Sequence, residues 1–270
     1  MSPPRSAALL AGAALVSFAC ASAVQPLDTT SELGRVDPES IDVEAAASLA
    51  ADAAREFDRR PDADAVHRAE DLWIRSAIAD PYSALAIIGA VQAQTWLGEN
   101  LDDEQARKDK ATEAVQTAQW CRTREPTNPD CHYWLAIAVG VQANQRLATA
   151  SDGLRVMERE LRAAIAGNED LDYAGPRRVL SQMLVRAPGW PTGPGDDEEG
   201  LEHARRAVEL HPEFPPNLLA LAEAYAALDD VPASRATYQR AIDLAGEWQQ
   251  RGHPDADAWI KAGRGLSGRD

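Results

Sequence analysis

Proline sets the outer limit on what this chain can become. The prolines of Asp80-Pro81, Glu125-Pro126 and His211-Pro212 each lack an amide donor and disfavour helix in the residue before. The stretches between them are built largely from Ala, Leu, Glu, Arg and Gln, which lose little on entering a helix. Nowhere do Val, Ile, Phe and Tyr alternate over the length of a strand. The chain therefore reads as all-α. Helices are predicted at 38–59, 62–79, 82–98, 102–124, 130–146, 152–166, 176–187, 197–211, 215–228, 232–249 and 254–264. Short connections make successive helices antiparallel neighbours, so the expected architecture is an array of helical hairpins.

The clearest hairpin spans 218–246. Leu218, Leu221, Ala222 and Tyr225 are followed by Ser234, Tyr238 and Ala241. Small residues at fixed spacing let two helices approach, and the large ones fill the space beside them. This is the tetratricopeptide pattern. A weaker copy is Trp134, Ile137, Ala138 and Val141, and a third is Leu85, Ile88 and Gly89 behind Pro81. The copies are unevenly spaced, which predicts an irregular tetratricopeptide-like α-α superhelix. One such hairpin cannot bury its own apolar face, so residues 38–270 are expected to stack into a single domain.

Formal net charge is −16, with Lys+Arg 27 against Asp+Glu 43, and no basic stripe is present to meet a phosphate backbone. Nucleic acid is excluded as a partner on that ground. The five histidines, at 67, 132, 203, 211 and 253, match no metalloprotease or nucleophile-elbow spacing. There is no glycine-rich phosphate loop with its lysine. No cofactor or metal is called for, and the chain reads as a binding protein rather than an enzyme. The seven tryptophans exceed what core filling needs; Trp73, Trp96, Trp120 and Trp134 fall on predicted helices and are read as core.

Ala7 to Ala19 is an apolar run too short to span a membrane and suited to the core of a secretory signal. Two processing routes are open. Cys20 directly follows the run, as in a bacterial lipoprotein whose signal occupies residues 1–20, while Ala21-Ser22-Ala23 offers a site for ordinary cleavage. Either way the protein is expected to be exported to the periplasmic side of the envelope; the first route ties it to the membrane through a lipid anchor alone, and the second leaves it a soluble periplasmic protein. Residues 21–37, polar with Pro26 and Gly34, are read as a flexible tether. Cys121 and Cys131 flank the turn EPTNPD, where antiparallel helices can bring two Cα atoms within disulfide range; a bridge and a pair of packed thiols are both open.

One stretch is not generic. In residues 171–201, Gly175-Pro176 opens a helix, Arg178 is read as the partner of a nearby carboxylate, and Pro188, Gly189, Trp190 and Pro191 form a stiff loop. Trp190 either plugs the end of the array or lines a ligand passage or partner surface. The pieces GPRRVL, RAPGWP and LLALAEAY, with FDRRP and CHYWLAIAVG earlier, resemble the TatT component family of TRAP transporters over roughly residues 45–250. The resemblance implies a periplasmic, lipid-anchored helical scaffold that docks the extracytoplasmic solute-binding protein of an uptake system. It further implies homo-oligomers enclosing a passage for an apolar ligand. The reading from the residues alone is broader: a general adaptor for an envelope assembly, with no ligand. Mass spectrometry of the mature N-terminus checks the processing. A lipid-modified Cys20 is the expected start, and an unmodified start at Val24 would rule lipidation out.

Overall fold

The computed structural model describes residues 22–35 and 38–267. They contain eleven α-helices: α1 Val43–Phe57, α2 Ala63–Ala79, α3 Ala84–Asn100, α4 Glu104–Arg124, α5 Pro129–Gln145, α6 Leu147–Gly167, α7 Leu171–Arg186, α8 Asp197–Leu210, α9 Pro215–Ala227, α10 Val231–Gln250 and α11 Ala256–Ser267. Among the described residues no helix is long and apolar enough to cross a membrane.

Five aspartates and one asparagine serve helix starts. The side chains of Asp42, Asp62, Asp103, Asp196 and Asp230 accept amide hydrogens from the first turn of α1, α2, α4, α8 and α10, and Asn128 does so for α5. Each such cap contributes about 1 kcal/mol and occupies donors the helix cannot satisfy itself. The predicted proline stops fall one residue past Asp80, Glu125 and His211, which are the C-caps of α2, α4 and α8.

Every helix packs on the next, and odd helices also touch across the hairpins, so the pairs stack into an all-α, tetratricopeptide-like superhelix. The small-large logic is visible at α2–α3, where a Cβ on Gly89 would meet the Trp73 ring at 2.3 Å. In the best repeat, Leu218, Leu221, Ala222, Tyr238 and Ala241 are all buried, with Tyr225 half-buried beside them. In the second copy Ala138 and Val141 are buried, while Trp134 and Ile137 are only partly covered. In the third, Ile88 and Gly89 are buried while Leu85 is 70% exposed.

The array curls until its beginning meets its end. Arg60, in the α1–α2 turn, donates from Nε and Nη2 to the two carboxylate oxygens of Asp255, both at 3.1 Å, just ahead of α11. Its guanidinium also lies 3.7 Å from the centre of the Phe57 ring.

Cys20 lies outside the described residues. The expected tether, from residue 22 onward, is instead laid along the helices. Ala23 is buried and its N–H donates to Asp152 Oδ2 at 2.8 Å. Gln119 donates to the Gln25 carbonyl at 2.7 Å and Arg124 to the Leu33 carbonyl at 2.6 Å. Leu33 is buried in a cluster with Ala77, Ile87, Cys121 and Cys131. The polar composition of the segment hid the few apolar residues, Ala23, Val24 and Leu33, that seat it.

Cys121 and Cys131 are joined by a disulfide with a Cα separation of 5.3 Å, tying the end of α4 to the start of α5. A loop with a sequence separation of 10 gains about 2–3 kcal/mol from such a link. Replacing both cysteines by Ala is expected to lower the melting temperature by roughly 5–10 °C, measured by circular dichroism on protein purified under oxidising conditions.

Candidate functional site

The distinctive Gly-Pro stretch builds a joint. Asp172, Tyr173 and Ala174 take left-handed backbone angles, with φ of 50°, 55° and 61°. Such a run is costly for residues with a Cβ and persists only when neighbours over-determine it. The neighbours are specific. Arg178 donates to Asp172 Oδ2 at 2.8 Å, to Asn217 Oδ1 at 3.1 Å and to the Asp172 carbonyl at 3.2 Å. The Tyr133 hydroxyl donates to the same Asp172 oxygen at 2.6 Å, and Asn217 donates to the carbonyls of Tyr173 and Ala207, each at 3.0 Å. Burial, then the Asp172 charge, push the Tyr133 hydroxyl pKa well up, so it stays a donor. Gly175 is required because a Cβ there would lie 2.5 Å from the Tyr133 hydroxyl. Gly175, Pro176 and Arg178 are thus buried structural residues that lock α5, α7 and α9 together, not a surface for a partner. Arg178 has the carboxylate partner its reading called for.

The remaining loop residues go elsewhere. Pro188 to Pro191 are exposed, and Trp190 is 90% so. The plug reading is overturned: the loop lies between α7 and α8, mid-array, and no core cluster includes Trp190. The loop is internally braced, with Gly195 N–H donating to the Pro188 carbonyl at 3.0 Å and the Thr192 hydroxyl to the Gly189 carbonyl at 2.9 Å.

The curled array surrounds a hollow that the sequence did not reveal. One part, about 430 Å³, is walled chiefly by α5, α6 and α7, with Val141, Leu154, Met157 and Met183 among its lining and Pro188 at its edge. A second part, about 370 Å³, is lined by Phe57, Trp96 and Trp134, together with Asp172 and Asp255. Glu99 and Ile137 belong to both parts and join them. Trp96 and Trp134, read as core, are half-buried and face this space; Trp73 is core as expected. A larger depression of about 610 Å³ lies outside, along α8. Its Arg177 and Arg206 are already paired with Glu169, so it reads as a solvated surface.

The charges in the hollow are unequal. Asp172 is held by Arg178, Asp255 by Arg60, and Arg186 by Glu223. Glu99 has no such cation among the described residues. Its side chain is open to the space of the hollow rather than packed against a neighbour. The walls around that space still strip part of its hydration, and this desolvation raises the carboxyl pKa. Its position on α3 gave no warning, because an isolated Glu near a helix end is ordinarily solvated.

The comparisons with known proteins bear on the fold. No family model matches the chain, and no curated protein matches it. The crystal structure of TTC0263, a thermophilic TPR protein from Thermus thermophilus, superposes with a TM-score of 0.60 at 17% identity, covering 81% of this chain and 98% of that one. Two MamA crystal structures superpose with TM-scores of 0.47 and 0.45 at 12% and 13% identity, covering 77% and 69% of this chain and 95% and 92% of theirs. The first likeness shows the tetratricopeptide-like fold. Removing the guanidinium in Arg178→Met strands the Asp172 carboxylate, the Tyr133 hydroxyl and Asn217, and is expected to cost about 2–4 kcal/mol. Urea unfolding followed by circular dichroism measures it. A loss under about 0.5 kcal/mol would show that the network does not hold the joint.

Proposed function

We propose that this chain is a binding scaffold rather than an enzyme, and that it serves as the exported, lipid-anchored accessory component of a TRAP-type uptake system, docking the extracytoplasmic solute-binding protein. The observation that carries the binding reading is the apolar hollow walled chiefly by α5, α6 and α7, with an exposed tryptophan loop at its margin. A preformed concave space with an apolar wall and convergent polar groups at one side is a common form of ligand site. A fully exposed Trp on a braced loop has the character of an interface anchor. The narrower assignment to TRAP systems rests on the TatT-like GPRRVL and RAPGWP pieces. The first builds the joint that curves the array, and the second supplies the exposed loop.

The docked leader-proximal segment supports anchoring through Cys20. Cleavage after Ala23 would discard Ser22 and Ala23, both of which bond to the Asp152 carboxylate. Processing at Cys20 keeps them.

A pull-down from envelope extract, with the mature protein as bait, tests the assignment. Recovery of a periplasmic solute-binding protein is expected, and Trp190→Ala is expected to weaken its capture by about ten-fold or more without moving the melting temperature. Recovery of cell-wall or secretion proteins alone would sink the transport reading and leave a general adaptor.

A further inference from the structure

Glu99 is the feature of the hollow that the binding reading leaves unused. It stands where the apolar compartment and the aromatic compartment meet, and it belongs to the lining of both. The other acids of this space have cations of their own: Arg178 holds Asp172 and Arg60 holds Asp255. The basic groups lining it are likewise committed, Arg60 to Asp255 and Arg186 to Glu223. Glu99 therefore presents an uncompensated negative charge to a space that is mainly apolar on its α5–α7 side and, on the other, sets Phe57, Trp96 and Trp134 among polar side chains whose charges are already paired. An occupant that displaces the water of the hollow would leave this carboxylate at a cost unless it brings the missing charge.

Charge complementarity selects a cation. The aromatic lining strengthens that choice, because the faces of Trp and Phe attract ammonium groups, and Trp96, Trp134 and Phe57 line the compartment on one side of Glu99. The compartment on the other side offers Val141, Leu154, Met157 and Met183, and no charge of its own that is free. An anionic amphiphile such as a fatty acid would place its head against Glu99 and is disfavoured. A purely apolar ligand would leave the carboxylate unpaired.

We propose that the hollow binds a small amphiphile with a protonated amine, its ammonium paired with Glu99 beside Trp96 and Trp134 and its apolar body lying along Val141, Met157 and Met183. This rests on the hollow being the binding site proposed above, and it adds the head-group chemistry. Compartments of about 430 and 370 Å³ fall within the range of small-molecule sites.

The test is isothermal titration of the mature protein with octylammonium, octanol and octanoate, all below their micelle-forming concentrations. Octylammonium is expected to bind at least ten-fold more tightly than octanol, and octanoate most weakly. Glu99→Gln, which keeps shape and removes charge, is expected to bring octylammonium within about two-fold of octanol, with the melting temperature unchanged. Equal binding of the three probes to the wild type, or an amine preference that survives Glu99→Gln, would overturn the head-group assignment while the hollow remains a site. Leu154→Trp, at a partly buried position lining the apolar compartment, narrows that space and separates the two readings. If octylammonium still binds that variant with unchanged affinity and the variant melts as the wild type does, the site lies elsewhere and both readings fail.

Discussion

A single guanidinium holds the geometry on which the rest depends. Arg178 reaches from α7 to Asn217 of α9 and shares the Asp172 oxygen with the Tyr133 hydroxyl of α5. In doing so it stabilises three successive left-handed residues, which no local preference would sustain. The planar fork suits this task because its donors leave in fixed directions from separate nitrogens, whereas a lysine's three donors radiate from a single atom at the end of a flexible stem. Direct packing of α5 on α7 is thin compared with α3 on α5 or α7 on α9, so the polar network carries the join that apolar contact carries elsewhere. With the joint set, the second half of the array swings round until Asp255 reaches Arg60. The space that results contains Phe57 from α1, Glu99 from α3, Trp134 from α5 and Asp172 from α7.

Much of this was legible before any coordinates. Proline stops and residue propensities placed all eleven helices to within a few residues, except that α1 begins five residues later than predicted and α6 and α7 each five earlier. The steric logic of Leu218, Leu221, Ala222, Tyr238 and Ala241 described real packing, because neighbouring residues on one hairpin meet each other at fixed spacing whatever the global shape. The candidate site was legible only in its framework. Gly175-Pro176 marked a special place without saying that the residues before it are left-handed. Asp172, Tyr173 and Ala174 have no composition that announces such angles, and the force that imposes them comes from residues 39–45 positions distant.

The misses share that cause. Arg60 and Asp255 are 195 residues apart, and a periodic pattern cannot say whether a superhelix stays open or meets itself. Trp96 and Trp134 looked like core because a helix buried on both sides and one facing an inner hollow carry similar apolar content. The segment from residue 22 to 34 looked like a tether because only Ala23, Val24 and Leu33 do the seating, too few to register as a pattern.

The contact between Arg60 and Asp255 also bears on how such a chain can change over generations. Open helical arrays lengthen and shorten by copying or losing hairpins, since each unit touches only its neighbours. An array whose first turn is ion-paired to the turn before its last helix has less such freedom. An added hairpin would push Asp255 past Arg60, and a lost one would leave it short. Variation in this molecule is therefore channelled into the lining and the loops, with the number of hairpins held constant by closure.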